Sequence, residues 1–141
     1  MKNNVKVVLD TNLWISFLIT NDFSRWDQII FEKHCTLIFS KELVEEFLDI
    51  AKRPKFRRFF ARPDIENMLD TIYEYADFVK VTSNIKLCRD PKDDFLLSLS
   101  VDGNVDFLLT GDKDLLELKS ISTTRIITIS EFLDNQNLYL L

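Results

Sequence analysis

Two aspartates each close a short apolar run. Asp10 follows Val5-Lys6-Val7-Val8-Leu9, and Asp112 follows Leu108-Leu109-Thr110-Gly111. A run of this kind reads as a buried parallel strand, and sites in open parallel sheets form beyond the carboxyl ends of the strands. If the two strands are neighbours, Asp10 and Asp112 share one rim. Asp114 is two residues further on and reaches the same space. Asp93 and Asp94 open the helix before that strand, and an acid there gains from the helix dipole. The helix after the second strand carries Glu42, Glu45, Glu46 and Asp49. Glu46 stands roughly 120° from the centre of its apolar stripe, about 20° nearer than Glu45. The candidate constellation is Asp10, Glu46, Asp94 and Asp112, with Asp93 and Asp114 as auxiliaries. The doublets Glu45/Glu46 and Asp93/Asp94 stay open.

Four carboxylates gathered in one place repel and raise each other's pKa. Divalent cations remove that repulsion, and an all-oxygen ligand set selects hard ions, Mg²⁺ or Mn²⁺, one or two of them. Such ions activate water and stabilise charge on a phosphoryl group under in-line attack.

The elements that must position these acids alternate. Strands are expected at Val5–Leu9, Thr36–Phe39, Phe78–Val81, Val105–Thr110 and Arg125–Ile129. Helices are expected at Leu13–Thr20, Trp26–Lys33, Lys41–Lys52, Phe56–Phe60, Asp64–Ala76, Asp93–Val101 and Ser130–Leu133, with a short one after Asp112. Ser40 reads as an N-cap, and Gly103-Asn104 as a helix stop. Alternation of this kind demands a parallel sheet covered on both faces. Ser98, one turn beyond Asp94, leaves room for a crowded site. The 141 residues carry no repeat or linker and fit one α/β domain; 46% hydrophobic content with 12 Phe supplies a core, and 29% charged residues exclude a disordered chain.

Other chemistries lack their residues. The single histidine, His34, has no evident partner, and there is no glycine-rich phosphate loop, zinc spacing or nucleophile elbow. No apolar run approaches the ~18 residues of a membrane span, and Met1-Lys2-Asn3-Asn4 has no signal-peptide layout. A cytoplasmic protein is expected. Cys35 and Cys88 are expected to act as small hydrophobes, not as a disulfide. A net charge of −5 argues against a general nucleic-acid coat but not against an enzyme that holds cations. Within this acidic chain Lys52, Arg53, Lys55, Arg57, Arg58 and Arg62 form a basic run interleaved by Phe56, Phe59 and Phe60. It reads as a solvated helix face, as a track guiding RNA phosphates, or as a docking site for a partner segment.

Val7-Val8-Leu9-Asp10-Thr11-Asn12 resembles the opening motif of PIN domains. Ser40-Lys41-Glu42-Leu43-Val44-Glu45-Glu46-Phe47 looks like their second-acid helix, and Ala51-Lys52-Arg53-Pro54-Lys55-Phe56 is similar to the segment that follows it in one subgroup. Asp90-Pro91-Lys92-Asp93-Asp94 and Leu109-Thr110-Gly111-Asp112-Lys113-Asp114-Leu115-Leu116 complete the ordered set. The subgroup comprises proteins described as toxin components of toxin–antitoxin pairs, relatives of VapC toxins. The likeness runs from about Val5 to Phe132. It implies a three-layer α/β/α domain over 1–141, with a five-stranded parallel sheet of order 3-2-1-4-5 and a Mg²⁺ or Mn²⁺ site. It further implies endoribonuclease activity on single-stranded RNA and a cognate antitoxin, and it is compatible with a homodimer. Carried over by motif, Asp10, Glu46, Asp94 and Asp112 form the acidic quartet and Asp114 is an added ligand. Asn12 and Thr110 orient the ligands. Ser98 and Ser100 stand where the subgroup usually has alanine. A haloacid-dehalogenase-type phosphohydrolase would need a second Asp where Asn12 stands, and a receiver domain would need a lysine after its last strand. A non-catalytic PIN-fold binding module would have lost the acids that this chain retains.

Overall fold

The computed structural model describes residues 5–20, 22, 24–29, 35–57 and 62–134. Among them a sheet of six strands has the order β3-β2-β1-β4-β6-β5. The strands are β1 (Lys6–Leu9), β2 (Thr36–Phe39), β3 (Ala76–Phe78), β4 (Phe107–Leu109), β5 (Ser120–Ile121) and β6 (Thr124–Ile127). The helices are α1 (Thr11–Thr20), α2 (Ser24–Asp27), α3 (Lys41–Ala51), α4 (Arg62–Tyr75), α5 (Pro91–Asp102), α6 (Lys113–Leu116) and α7 (Ile129–Asp134), with one 3₁₀ turn at Pro54–Phe56.

Successive residues of a strand face opposite sides of its sheet. In β1, β2 and β4, Val7-Val8-Leu9, Leu37-Ile38-Phe39 and Phe107-Leu108-Leu109 are all buried. Both faces of the sheet centre are therefore covered, as the alternating sequence demanded. The chain passes from β1 to β2 to β3 on one side of β1 and returns to β4 on the other side of it. Val7 pairs with both Leu37 and Phe107, so β1 is central and β4 is its parallel neighbour. The two chain directions part between β1 and β4, which opens a crevice at their carboxyl ends.

The expected strand order 3-2-1-4-5 is present as β3-β2-β1-β4-β6. The addition is β5, two residues antiparallel to β6 at the edge. A second difference concerns β3. The expected strand, Phe78–Val81, shifts to Ala76–Phe78, because α4 ends at Tyr75 and its next residues pair at once with Leu37–Phe39. Val79 donates a last sheet bond to the Phe39 carbonyl at 2.8 Å, and the chain then leaves the sheet. Of the expected second helix, α2 occupies Ser24–Asp27, and residues 30–34, which include His34, lie outside the described residues. The helix expected at Phe56–Phe60 is the 3₁₀ turn Pro54–Phe56 as far as the description reaches; Arg58, Phe59 and Phe60 lie beyond it.

Helix boundaries follow their caps. The buried Ser40 hydroxyl accepts from the Leu43 amide at 3.1 Å and starts α3 directly from β2. Asp90 caps α5 with Pro91 in its first turn. At the α5 stop the left-handed residue is Asn104, with φ 49°. Gly103 serves space instead: a Cβ there would stand 3.0 Å from Ile38 Cγ2 and 3.1 Å from the Leu99 carbonyl oxygen. Against β2, Trp14 of α1 meets Trp26 and Phe39, with ring centroids 4.0 and 5.2 Å away. No helix among the described residues is long and apolar enough to cross a membrane.

Candidate metal centre and cleft

Asp10 sits where β1 turns into α1 and is buried. Its Oδ1 accepts from the Asn12 amide at 3.0 Å and its Oδ2 from the Thr110 hydroxyl at 2.8 Å. The same Thr110 oxygen accepts from the Asp112 amide at 3.0 Å. One buried hydroxyl therefore ties the end of β1 to the loop that carries Asp112. Asp112 in turn caps α6, accepting from the Asp114 amide at 2.8 Å.

Carboxylate oxygens of Asp93, Asp112 and Asp114 lie within 4.8 Å of one another. Asp10 and Glu46 border the same cleft but stand outside that trio. The cleft, ≈ 240 Å³, is lined by the acids Asp10, Glu46, Asp90, Asp93 and Asp112 and by the bases Arg53, Lys55 and Lys92. Burial pushes the Asp93 carboxyl up to about 7, and the neighbouring charges of Asp112, Asp90 and Asp10 add to the shift. Asp10 is raised as well, first by burial, although its bonds to Asn12 and Thr110 oppose the change. Negative charge is thus gathered faster than the protein's own donors neutralise it. Oxygen-only donors at this spacing fit Mg²⁺ or Mn²⁺ and offer nothing to a soft metal.

The two open doublets separate geometrically. Glu46 reaches the cleft: its Oε2 accepts from the Thr11 hydroxyl at 3.1 Å, and its Oε1 lies 3.7 Å from Lys92 Nζ. Glu45 is exposed and pairs with Lys41 at 3.9 Å, while Asp49 meets Arg53 at 3.5 Å. Asp93 also reaches the cleft. Asp94, expected among the ligands, is not among the residues that line this cleft or among the three converging acids. Its Oδ1 accepts from the Leu87 and Cys88 amides at 2.9 and 2.7 Å.

Asp94 belongs to a row along one face of α5. Ser98 Oγ accepts from the Ile85 amide at 3.0 Å, and Asp102 Oδ2 accepts from the Thr82 and Ser83 amides at 2.6 and 2.8 Å. Positions i, i+4 and i+8 share a helix face, and this face pins an extended strap, residues 79–90. Ser98 therefore holds the strap and does not make room in the site. Ser100 turns its hydroxyl to the Leu96 carbonyl one turn back. Cys35 and Cys88 are not joined in a disulfide. Cys88 lies at the strap's end, where burial and the acids around it push its thiol up to about 11.

Sequence reasoning missed Thr11, Asp90 and Lys92. The Asp90-Pro91 pair carried a detectable signal, an N-cap followed by proline at the first helical position. Thr11 and Lys92 act through groups distant in sequence, and no spacing rule announces them. Of the basic run, Arg53 and Lys55 line the cleft beside Phe56; Lys52 and Arg57 are exposed and are not among its lining residues.

The PIN domain family profile matches residues 6–114, and the chain belongs to that family. An uncharacterized protein of Methanocaldococcus jannaschii is 27% identical over 121 residues, covering 84% of this chain and 77% of that protein. A chain in the crystal structure of VapBC2 from Rickettsia felis, bound to a DNA fragment from the promoter, has the same fold. The TM-score is 0.56 at 14% identity, over 86% of this chain and 97% of that one.

Proposed function

We propose that this protein is an endoribonuclease dependent on Mg²⁺ or Mn²⁺, cutting phosphodiester bonds of single-stranded RNA, and that it is the toxin of a toxin–antitoxin pair. The observation that carries the reading is the approach of Asp93, Asp112 and Asp114 within 4.8 Å, beside buried Asp10, at the β1/β4 crevice. In this reading Asp10, Asp93, Asp112 and Asp114 hold one or two cations. Asp93 takes the role that the sequence reading gave to Asp94. A bound cation supplies a nucleophilic water at neutral pH and stabilises phosphoryl charge.

The protein's own groups do the rest. Thr110 and the Asn12 amide fix the Asp10 oxygens, so the first ligand is aimed before any cation arrives. Thr11 and Lys92 hold Glu46 at the cleft wall, where it is placed to take a proton from an attacking water. Arg53, Lys55 and Lys92 attract the phosphate backbone, and Phe56 with Lys55 (ammonium 5.0 Å from the ring centroid) offers a base a stacking surface. Membership of the PIN family supports the nuclease reading. The fold shared with a chain of a VapBC complex supports an antitoxin as partner.

Purified protein incubated with single-stranded RNA tests this. Cleavage is expected with Mn²⁺ or Mg²⁺, none in excess chelator, and restoration on adding the ion back. Asp10→Asn should fold with wild-type secondary structure and cut at least about a hundredfold more slowly. Cleavage that survives chelation, or an active Asp10→Asn protein, would overturn the reading.

A further inference from the structure

The strap ends at Arg89, whose side chain reaches back to the acidic trio. Its Nη2 lies 3.0 and 3.3 Å from the two oxygens of Asp114. The guanidinium is otherwise open to solvent, with 90% of the side chain exposed, whereas Asp114 is 31% exposed. Beyond this pair lies a second cleft of ≈ 470 Å³, lined by Leu87, Cys88, Arg89, Asp114, Glu117 and Leu118. It has no lining residue in common with the cleft that holds Asp10 and Glu46. Asp112 and Asp114, two residues apart on one turn, stand between the two spaces.

We infer that Arg89 is a cation held in reserve: it occupies Asp114 in the metal-free protein, a divalent ion displaces it, and it then grips a phosphate of the RNA nucleotide seated in the second cleft. The inference rests on the proposed metal-dependent reading. Three observations support it. The carboxylate that Arg89 occupies is one of the three that converge. A solvent-exposed ion pair is weak, so a doubly charged ion shared by three carboxylates replaces it easily. The displaced guanidinium cannot wander far, because its neighbour Cys88 is pinned to Asp94 and the strap behind is pinned to Ser98 and Asp102. The place left to it is the rim of a cleft with apolar walls, Leu87 and Leu118, and no other cation among its lining residues. That pairing suits a nucleotide, with a base against the apolar wall and a phosphate for the guanidinium.

The test combines calorimetric titration of Mn²⁺ into the full chain with steady-state cleavage of RNA, for wild type, Arg89→Ala and Arg89→Lys. Loss of the competing cation should tighten Mn²⁺ binding in Arg89→Ala by about two- to fivefold, the scale of an exposed ion pair. Arg89→Lys should fall between the two. In cleavage, Arg89→Ala should raise KM by roughly tenfold and change kcat little, as expected when a charge-assisted phosphate contact is lost. If wild type binds Mn²⁺ and Arg89→Ala binds it equally or more weakly, the reserve role falls and the metal reading stands. An unchanged KM removes the phosphate contact. If wild type binds no Mn²⁺, both readings fall together.

Discussion

Asp93 should make the metal-free protein less stable than one of its own variants. Burial pushes its carboxyl up to about 7 in the folded chain, against about 3.8 for an ordinary aspartate in the unfolded chain. Between those values the unfolded state has given up the proton that the folded state keeps. Stability therefore falls as pH rises from about 4 to about 7 and stays low above that. The full difference corresponds to about 4 kcal/mol. Relaxation of the less buried Asp112 and Asp114 returns part of it, leaving about 2–4 kcal/mol at pH 7.5. Asp93→Asn keeps the shape and removes the charge. In chelator at pH 7.5 the variant should melt about 5–15 °C above wild type. At pH 4 the gap should close, because wild-type Asp93 is then protonated in the fold. Saturating Mn²⁺ should reverse the order, since only the wild type retains all the carboxylates that gain from the ion. The assay is thermal unfolding followed by circular dichroism across pH, with and without the cation. A variant no more stable than wild type at pH 7.5, or a gap of equal size at pH 4, would refute the reasoning.

The same substitutions separate the neighbours. Asp93→Asn should lower RNA cleavage by roughly a hundredfold or more, whereas Asp94→Asn should keep most activity and lose about 1 kcal/mol of stability as the strap's amides lose an acceptor charge; rates and denaturant midpoints measured on both variants decide it, and the opposite ranking would reinstate Asp94. Asp112→Asn should weaken Mn²⁺ binding by calorimetry while Glu42→Gln, on the exposed face of α3, leaves it unchanged; equal losses would remove Asp112 from the centre.

The ease of reading varied with how strongly each segment's surroundings mark the chain. Strand order was legible because β1, β2 and β4 are short, apolar and separated by helices that allow few topologies. The apolar stripe of α3 set Glu46 only about 20° nearer its edge than Glu45, so that doublet stayed open in the sequence. Asp93 and Asp94 were harder still to separate. Around α5 the residues Leu96, Leu97, Leu99 and Ser100 are all buried, so no single apolar stripe fixes the helix's phase. Two adjacent acids then differ only by a turn of about 100°, and the sequence left that pair open; in the fold it is Asp93 that lines the cleft. β3 was misplaced because the strap alternates half-buried Val79, Val81, Ser83 and Ile85 with exposed residues, the pattern of a strand. Its backbone is extended, but beyond Val79 the amides of Thr82, Ser83, Ile85, Leu87 and Cys88 go to side chains of α5 and not to a neighbouring strand. β5 escaped because it is two residues long and its turn contains no glycine; Lys119 and Ser122 adopt positive φ there, 65° and 54°.

Helix α5 serves two clients from one cylinder: Asp93 faces the acids of the crevice while Asp94, Ser98 and Asp102 hold the strap. Its start is clamped by the Asp90 cap and Pro91. Adding or deleting a single residue between Asp90 and Asp93 would rotate every later side chain by about 100° relative to that clamp, taking the strap's acceptors and the crevice acid out of register in one step. The spacing of this short stretch is therefore a tighter constraint on the chain than the chemical identity of any one residue within it.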